Sequence, residues 1–111
     1  MALGDLEQAV LFTLLQLQGE AHGAAIIREL ERRVERRVSP GALYTVLDRM
    51  QDKGFVEGWI GDAIPERGGR RRKVYRVLPA GARELQAWFR GVHELADGTL
   101  GRLNELAREA G

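Results

Sequence analysis

Leu6, Val10, Leu14 and Leu17 recur at three- and four-residue intervals through DLEQAVLFTLLQLQ, residues 5–18. That spacing predicts a helix. Leu11, Phe12 and Leu15 carry the apolar surface well past a single stripe, so the helix is expected to be buried on more than one side. Asp5 and Glu7 suit its positive end, and Gly19 is the expected stop. A second helix is predicted from about residue 23 to 34, with Ile26, Ile27, Leu30 and Val34 on one face. Arg28, Glu31, Arg32 and Glu35 on its other side read as a solvated face of charges paired one turn apart. The third lies within VSPGALYTVLDRMQDKG. There Ser39 is a good N-cap, Pro40 a good first helical residue, and Leu43, Val46, Leu47 and Met50 form the core stripe. Gly54 ends it. Its remaining face shows Gly41, Ala42, Tyr44, Thr45, Asp48 and Arg49. The small residues at its start let that end approach another surface closely.

The period then changes. FVEGWIGD, residues 55–62, reads as a strand, and KVYRVL from residue 73 as its partner. AIPERGGRRR between them, with a proline and two glycines, is a loop or the tip of a long hairpin. Trp59 on the first strand is expected to pack. From about residue 80 to 107 the helical pattern returns, with Leu85, Phe89, Val92, Ala96, Leu100 and Leu103 at the spacing of a helix-pairing seam. A helix of about 28 residues reaches about 40 Å, more than so short a chain can cover with its own core. Gly91, Gly98 and Gly101 weaken the run and predict a bend or a frayed end. The economical solution is a second copy of the chain. Leu6, Val10, Leu85, Trp88, Phe89 and Val92 are the candidate residues for a dimer interface or an effector pocket within it. The expected fold is mainly α with a small β-hairpin. A winged helix-turn-helix over residues 1–78 is followed by a long C-terminal dimerisation helix over residues 79–111.

Composition bounds the chemistry. The chain has 111 residues, enough for one domain. At 44% hydrophobic and 30% charged it reads as globular rather than disordered. It has no cysteine and only two histidines, His22 and His93, so thiolate and histidine metal centres are not expected. No apolar run reaches transmembrane length and the N-terminus lacks a secretory pattern, so a cytoplasmic protein is the default. No serine–histidine–aspartate set, paired carboxylates or phosphate loop stands in a context that would make an enzyme, and no cofactor is expected.

The net charge of +1 conceals an uneven distribution. The first twenty residues hold Asp5, Glu7 and Glu20 and no base, whereas PERGGRRRK gathers Arg67, Arg70, Arg71, Arg72 and Lys73 around Gly68 and Gly69. Glycines let a backbone turn tightly against a phosphate wall, and arginine suits phosphate oxygens or a narrow minor groove. A solvated loop is the plain alternative, and the capped slim helix just upstream favours the DNA wing. Ser39, Gly41, Tyr44, Thr45 and Arg49 are the candidate recognition residues, because the first turns of such a helix reach base edges. Tyr44 has a second option, packing on the first strand and offering only its hydroxyl. Asp48 and Asp52 repel phosphate and are expected to face away from it. Arg49 and Lys53 stand where they can partly neutralise them. His22, at a helix start, is expected to hydrogen-bond locally. Trp88 and Phe89 fit plain interface packing as well as an effector pocket.

The residues GDLEQAVLFTLL, HGAAIIRELE, SPGALYTVLDRMQDKGFVEG and ERGGRRRKVYRVLPAG together resemble the PadR family of transcriptional regulators, over nearly the whole chain. The last two segments are the most specific. The resemblance implies dimeric winged-helix DNA-binding repressors, paired through C-terminal helices and commonly relieved by small molecules. The short C-terminal part resembles the subfamily with one terminal helix. Thr45 stands where many members have proline. Leu78 stands where many have threonine, which removes a capping hydroxyl from the following helix. Val92 stands where some drug-sensing members place a tryptophan. The expected partners are therefore a palindromic DNA duplex with half-sites about one helical turn or a multiple apart, a second copy, and a small-molecule effector. A winged-helix protein-interaction module without DNA binding is the competing class, and a ligand sensor of weak DNA affinity a third.

Overall fold

A computed structural model describes residues 3–61 and 72–109. Its elements are α1 (Asp5–Gln16), β1 (Glu20–His22), α2 (Gly23–Val34), α3 (Pro40–Asp52), β2 (Val56–Ile60), β3 (Lys73–Val77), α4 (Pro79–Ala96) and α5 (Leu100–Glu109). The strands form one antiparallel sheet in the order β1-β3-β2. The expected two-stranded hairpin is present, with Gly58 opposite Tyr75 and Val56 opposite Val77. It gains a third strand: Ala21 lies opposite Tyr75 from the other side. Three residues are too few to show a period, and the sequence signalled no strand there.

Helices α1, α2 and α3 close over the core face of the sheet. Val10, Leu11 and Leu14 of α1 are fully buried, as are Ile26 of α2 and Leu43, Leu47 and Met50 of α3. Each such side chain contributes about 1.5–3 kcal/mol by leaving water. Tyr75 of β3 lies beneath them at 1% exposure. The ends of the helices match their chemistry. The Gly4 amide donates to the Glu7 carboxylate at the start of α1 at 2.9 Å, and the Ala42 amide donates to Ser39 Oγ at the start of α3 at 3.1 Å. Leu78, without a hydroxyl, leaves the N-cap of α4 without a side-chain bond, and Pro79 opens the helix instead.

The bend expected in the terminal run is a complete break. Gly98 adopts a left-handed φ of +74°, open to glycine at little cost. The Thr99 hydroxyl donates to the Ala96 carbonyl at 2.6 Å. The run is thus two helices, α4 and α5, rather than one long helix. Two of the residues assigned to a dimer interface or an effector pocket are not interface residues. Val10, at 0% exposure, and Leu85, at 3%, belong to the core of their own chain. Leu85 anchors the first half of α4 against α1, and neither side chain has surface left for a second copy of the chain.

Candidate nucleic-acid interface

The first turns of α3 are exposed: Ser39, Gly41, Tyr44 and Thr45 all face solvent. Their polar groups are partly committed to the helix. Ser39 Oγ is the capping acceptor, and Thr45 Oγ1 donates to the Gly41 carbonyl at 2.9 Å. Each hydroxyl keeps acceptor capacity. A Cβ at Gly41 would meet nothing within 4 Å, so this end of the helix is as slim as the sequence suggested. Arg49 is exposed in the last turn, where its charge acts on Glu7 of α1. Lys53 likewise turns to Glu7, at 2.9 Å.

Tyr44 packs on β3, the second strand of the hairpin, rather than on the first. Its ring lies 6.4 Å from that of Tyr75 on β3, yet the residue stays 41% exposed. Its hydroxyl end rests against Gly23, where a Cβ would collide with the phenol oxygen. Tyr44 thus spans from the sheet to the first residue of α2. Burial, together with the neighbouring Tyr44 and Asp48, pushes the Tyr75 phenol above its usual range. Lys73 Nζ stands 5.4 Å from the centre of the Tyr75 ring, a cation–π distance. The chain Tyr44–Tyr75–Lys73 joins α3 to the loop end of the hairpin.

Arg72 immediately precedes that hairpin strand. Its carbonyl accepts from the Gly61 amide at 2.7 Å, one pairing beyond the strands proper. Its Nη1 lies 2.8 Å from Nε2 of His22. His22 also caps α2, Nδ1 accepting from the Ala25 amide at 3.2 Å. The local bond expected of His22 is present. The contact with Arg72 was missed, since 50 residues separate the pair. Tyr75, the platform between Tyr44 and Lys73, was missed as well, because in the sequence it is one apolar strand position among several. Arg67, Arg70 and Arg71 lie outside the described residues. Trp59 packs as expected, the guanidinium of Arg76 lying 5.5 Å from its ring centre while Arg76 pairs with Glu57 at 2.7 Å.

A second surface runs along α4 and α5. Phe12 of α1 makes edge contacts with Trp88 and Phe89, centroids 6.0 and 6.1 Å apart. Beside them a groove of about 270 Å³ is lined by Phe12, Leu15, Ala82, Leu85, Gln86 and Phe89. Trp88 and Leu6 are half-buried against the core. Phe89 and Val92 are exposed, and Leu95, Leu100, Leu103 and Leu106 beyond them range from 45% to 84%. No residue of α5 is buried.

Three helices on a small three-stranded sheet, with the capped start of α3 left open beside the hairpin, make a winged-helix fold. The chain belongs to the transcriptional regulator PadR-like family, whose model matches residues 10–87. It is similar to transcriptional regulator Rv3488 of Mycobacterium tuberculosis, 42% identical over 90 residues that cover 79% of this chain and 78% of that one. Among solved structures it is similar to a PadR family transcriptional regulator from Eggerthella lenta. That likeness has 27% identity and a TM-score of 0.68 over 91% of this chain and 87% of the other. The fold is shared with Bacillus subtilis PadR in complex with operator DNA, at 22% identity and a TM-score of 0.64, over 77% of this chain and 46% of that one.

Proposed function

We propose that the protein acts in the cytoplasm as a homodimeric repressor that binds a palindromic operator and is relieved by a small molecule. The observation that carries this reading is the exposed start of α3 at Ser39, Gly41, Tyr44 and Thr45, joined through the buried ring of Tyr75 to Lys73 on the hairpin. The open end of α3 offers hydroxyl and aromatic groups to base edges in the major groove. Arg72 and Lys73, with Arg67, Arg70 and Arg71 in the sequence between the strands, supply positive charge for phosphates or a narrow minor groove. Arg49, at the far end of α3, serves the backbone rather than the bases.

Dimerisation through residues 79–111 is supported by the leucines of α4 and α5. A row of Leu95, Leu100, Leu103 and Leu106 in water is costly for a monomer. Phe89 and Val92 extend that face, and Leu6 and Trp88 back it. The apolar groove lined by Phe12 and Phe89 suits an effector with a hydrophobic body. In bound DNA the two copies of α3 lie about one helical turn, or a multiple, apart.

Selection of duplexes from a random pool tests the reading. The expected result is a palindrome, with Tyr44→Ala or Thr45→Ala each reducing discrimination against random DNA by about 1–3 kcal/mol. Enrichment of no palindrome would favour a protein-interaction module instead.

A further inference from the structure

His22 stands where three parts of the fold meet. It closes β1 and caps α2, with Nδ1 3.2 Å from the Ala25 amide nitrogen. Its Nε2 lies 2.8 Å from Nη1 of Arg72, where β3 leaves the connecting loop. The next residue, Gly23, carries the hydroxyl end of Tyr44. A neutral imidazole has one lone pair and one N–H. The Ala25 amide and the Arg72 guanidinium are both donors, so the ring can accept fully from one of them at a time. The backbone of Arg72 is pinned by the Gly61 amide on its carbonyl. Where its guanidinium points is therefore set by what holds the side chain.

We propose that His22 is a positioning residue for DNA binding. It presents Arg72 at the loop end of the wing and hands its lone pair to the Ala25 amide when a phosphate takes the guanidinium. The inference rests on the reading of α3 and the hairpin as the DNA-binding surface. The strengthened cap bond offsets the bond to Arg72 given up, so holding Arg72 costs the complex little. The arginine also arrives already ordered, which spares rotamer entropy on binding. The same exchange tightens the first turn of α2, on which Tyr44 rests. One ring thus couples the wing to the recognition helix.

His22→Asn separates this role from simple capping. Asparagine is a good N-cap and keeps the bond to Ala25, but it is too short to hold Arg72. A duplex taken from the selected pool is titrated with the parent, His22→Asn, Arg72→Gln and the double variant. His22→Asn is expected to bind roughly three- to tenfold more weakly, with Arg72→Gln costing at least about threefold less in that background than in the parent. In the unmutated protein, ring-nitrogen NMR of His22 should shift toward the Nε2–H tautomer when duplex is added, a change that a merely structural cap would not give. Parent-like binding by His22→Asn, an equal cost of Arg72→Gln in both backgrounds, or unchanged ring nitrogens would each overturn the proposal while leaving the DNA reading intact. A parent protein that binds no duplex would overturn both.

Discussion

Lys53, at the end of α3, donates to the buried carboxylate of Glu7 in the first turn of α1 at 2.9 Å. The pair fixes the tilt of α3 against the body of the domain. Burial alone would raise the Glu7 carboxyl. The Gly4 amide, the bond and charge of Lys53 and the charge of Arg49 outweigh it and hold the carboxyl below its usual value. A carboxyl lowered in the folded state stabilises the fold above its unfolded pKa, which is 4.5. That contribution fades as pH falls through the lower folded value. Glu7→Gln is expected to cost about 1–2 kcal/mol near neutrality. It should also flatten the acid limb of a plot of melting temperature against pH, as read by circular dichroism at several pH values.

Gly23→Ala is expected to drive the Tyr44 ring off its seat, since a methyl there overlaps the phenol oxygen. Overpacking of this kind costs about 1–3 kcal/mol. Truncating the ring removes the obstacle, so Gly23→Ala with Tyr44→Ala should be less destabilised than the sum of the two single variants. Thermal melts of the four proteins check this, and strict additivity would mean that Tyr44 does not rest on Gly23.

The exposed leucines bear on assembly. Leu95→Glu with Leu103→Glu should convert a dimer into a folded monomer, because both side chains are exposed in the single chain, at 84% and 57%. Sedimentation velocity distinguishes the species. Leu85→Glu, by contrast, should unfold the protein, since that leucine lies in the core. A parent that sediments as a monomer at micromolar concentration would remove the role given to α4 and α5.

Most of the fold was legible in the sequence because it depends on local signals. Leu43, Val46, Leu47 and Met50 announce the buried stripe of α3, and Ser39–Pro40 its start. The change from helical to alternating spacing announces the hairpin. What was not legible depends on the meeting of distant residues. The edge strand Glu20–His22 exists because β3 offers it a partner. Val10 and Leu85 carry the same spacing whether they face their own core or a second copy, and only the packing of α4 on α1 decides between the two. The terminal break was half legible. The glycines marked weakness, but which of them would turn left-handed was set by the Asp97–Thr99 segment as a whole. At the site, the open face of α3 was readable. The meeting of His22 with Arg72, and of Tyr44 with Gly23, was not.

The central claim is that the basic hairpin grips DNA, and its most direct test is the salt dependence of binding. The parent and an Arg70→Gln, Arg71→Gln, Arg72→Gln variant are titrated with the selected duplex over a range of salt concentrations, after melts have established that both are folded. Each phosphate that the variant no longer neutralises should lower the slope of log affinity against log salt by about 0.9. A shallower slope for the variant, on selected and random duplexes alike, is the expected result. An unchanged slope with the fold intact would mean that these arginines meet no phosphate, and would contradict the DNA-wing account.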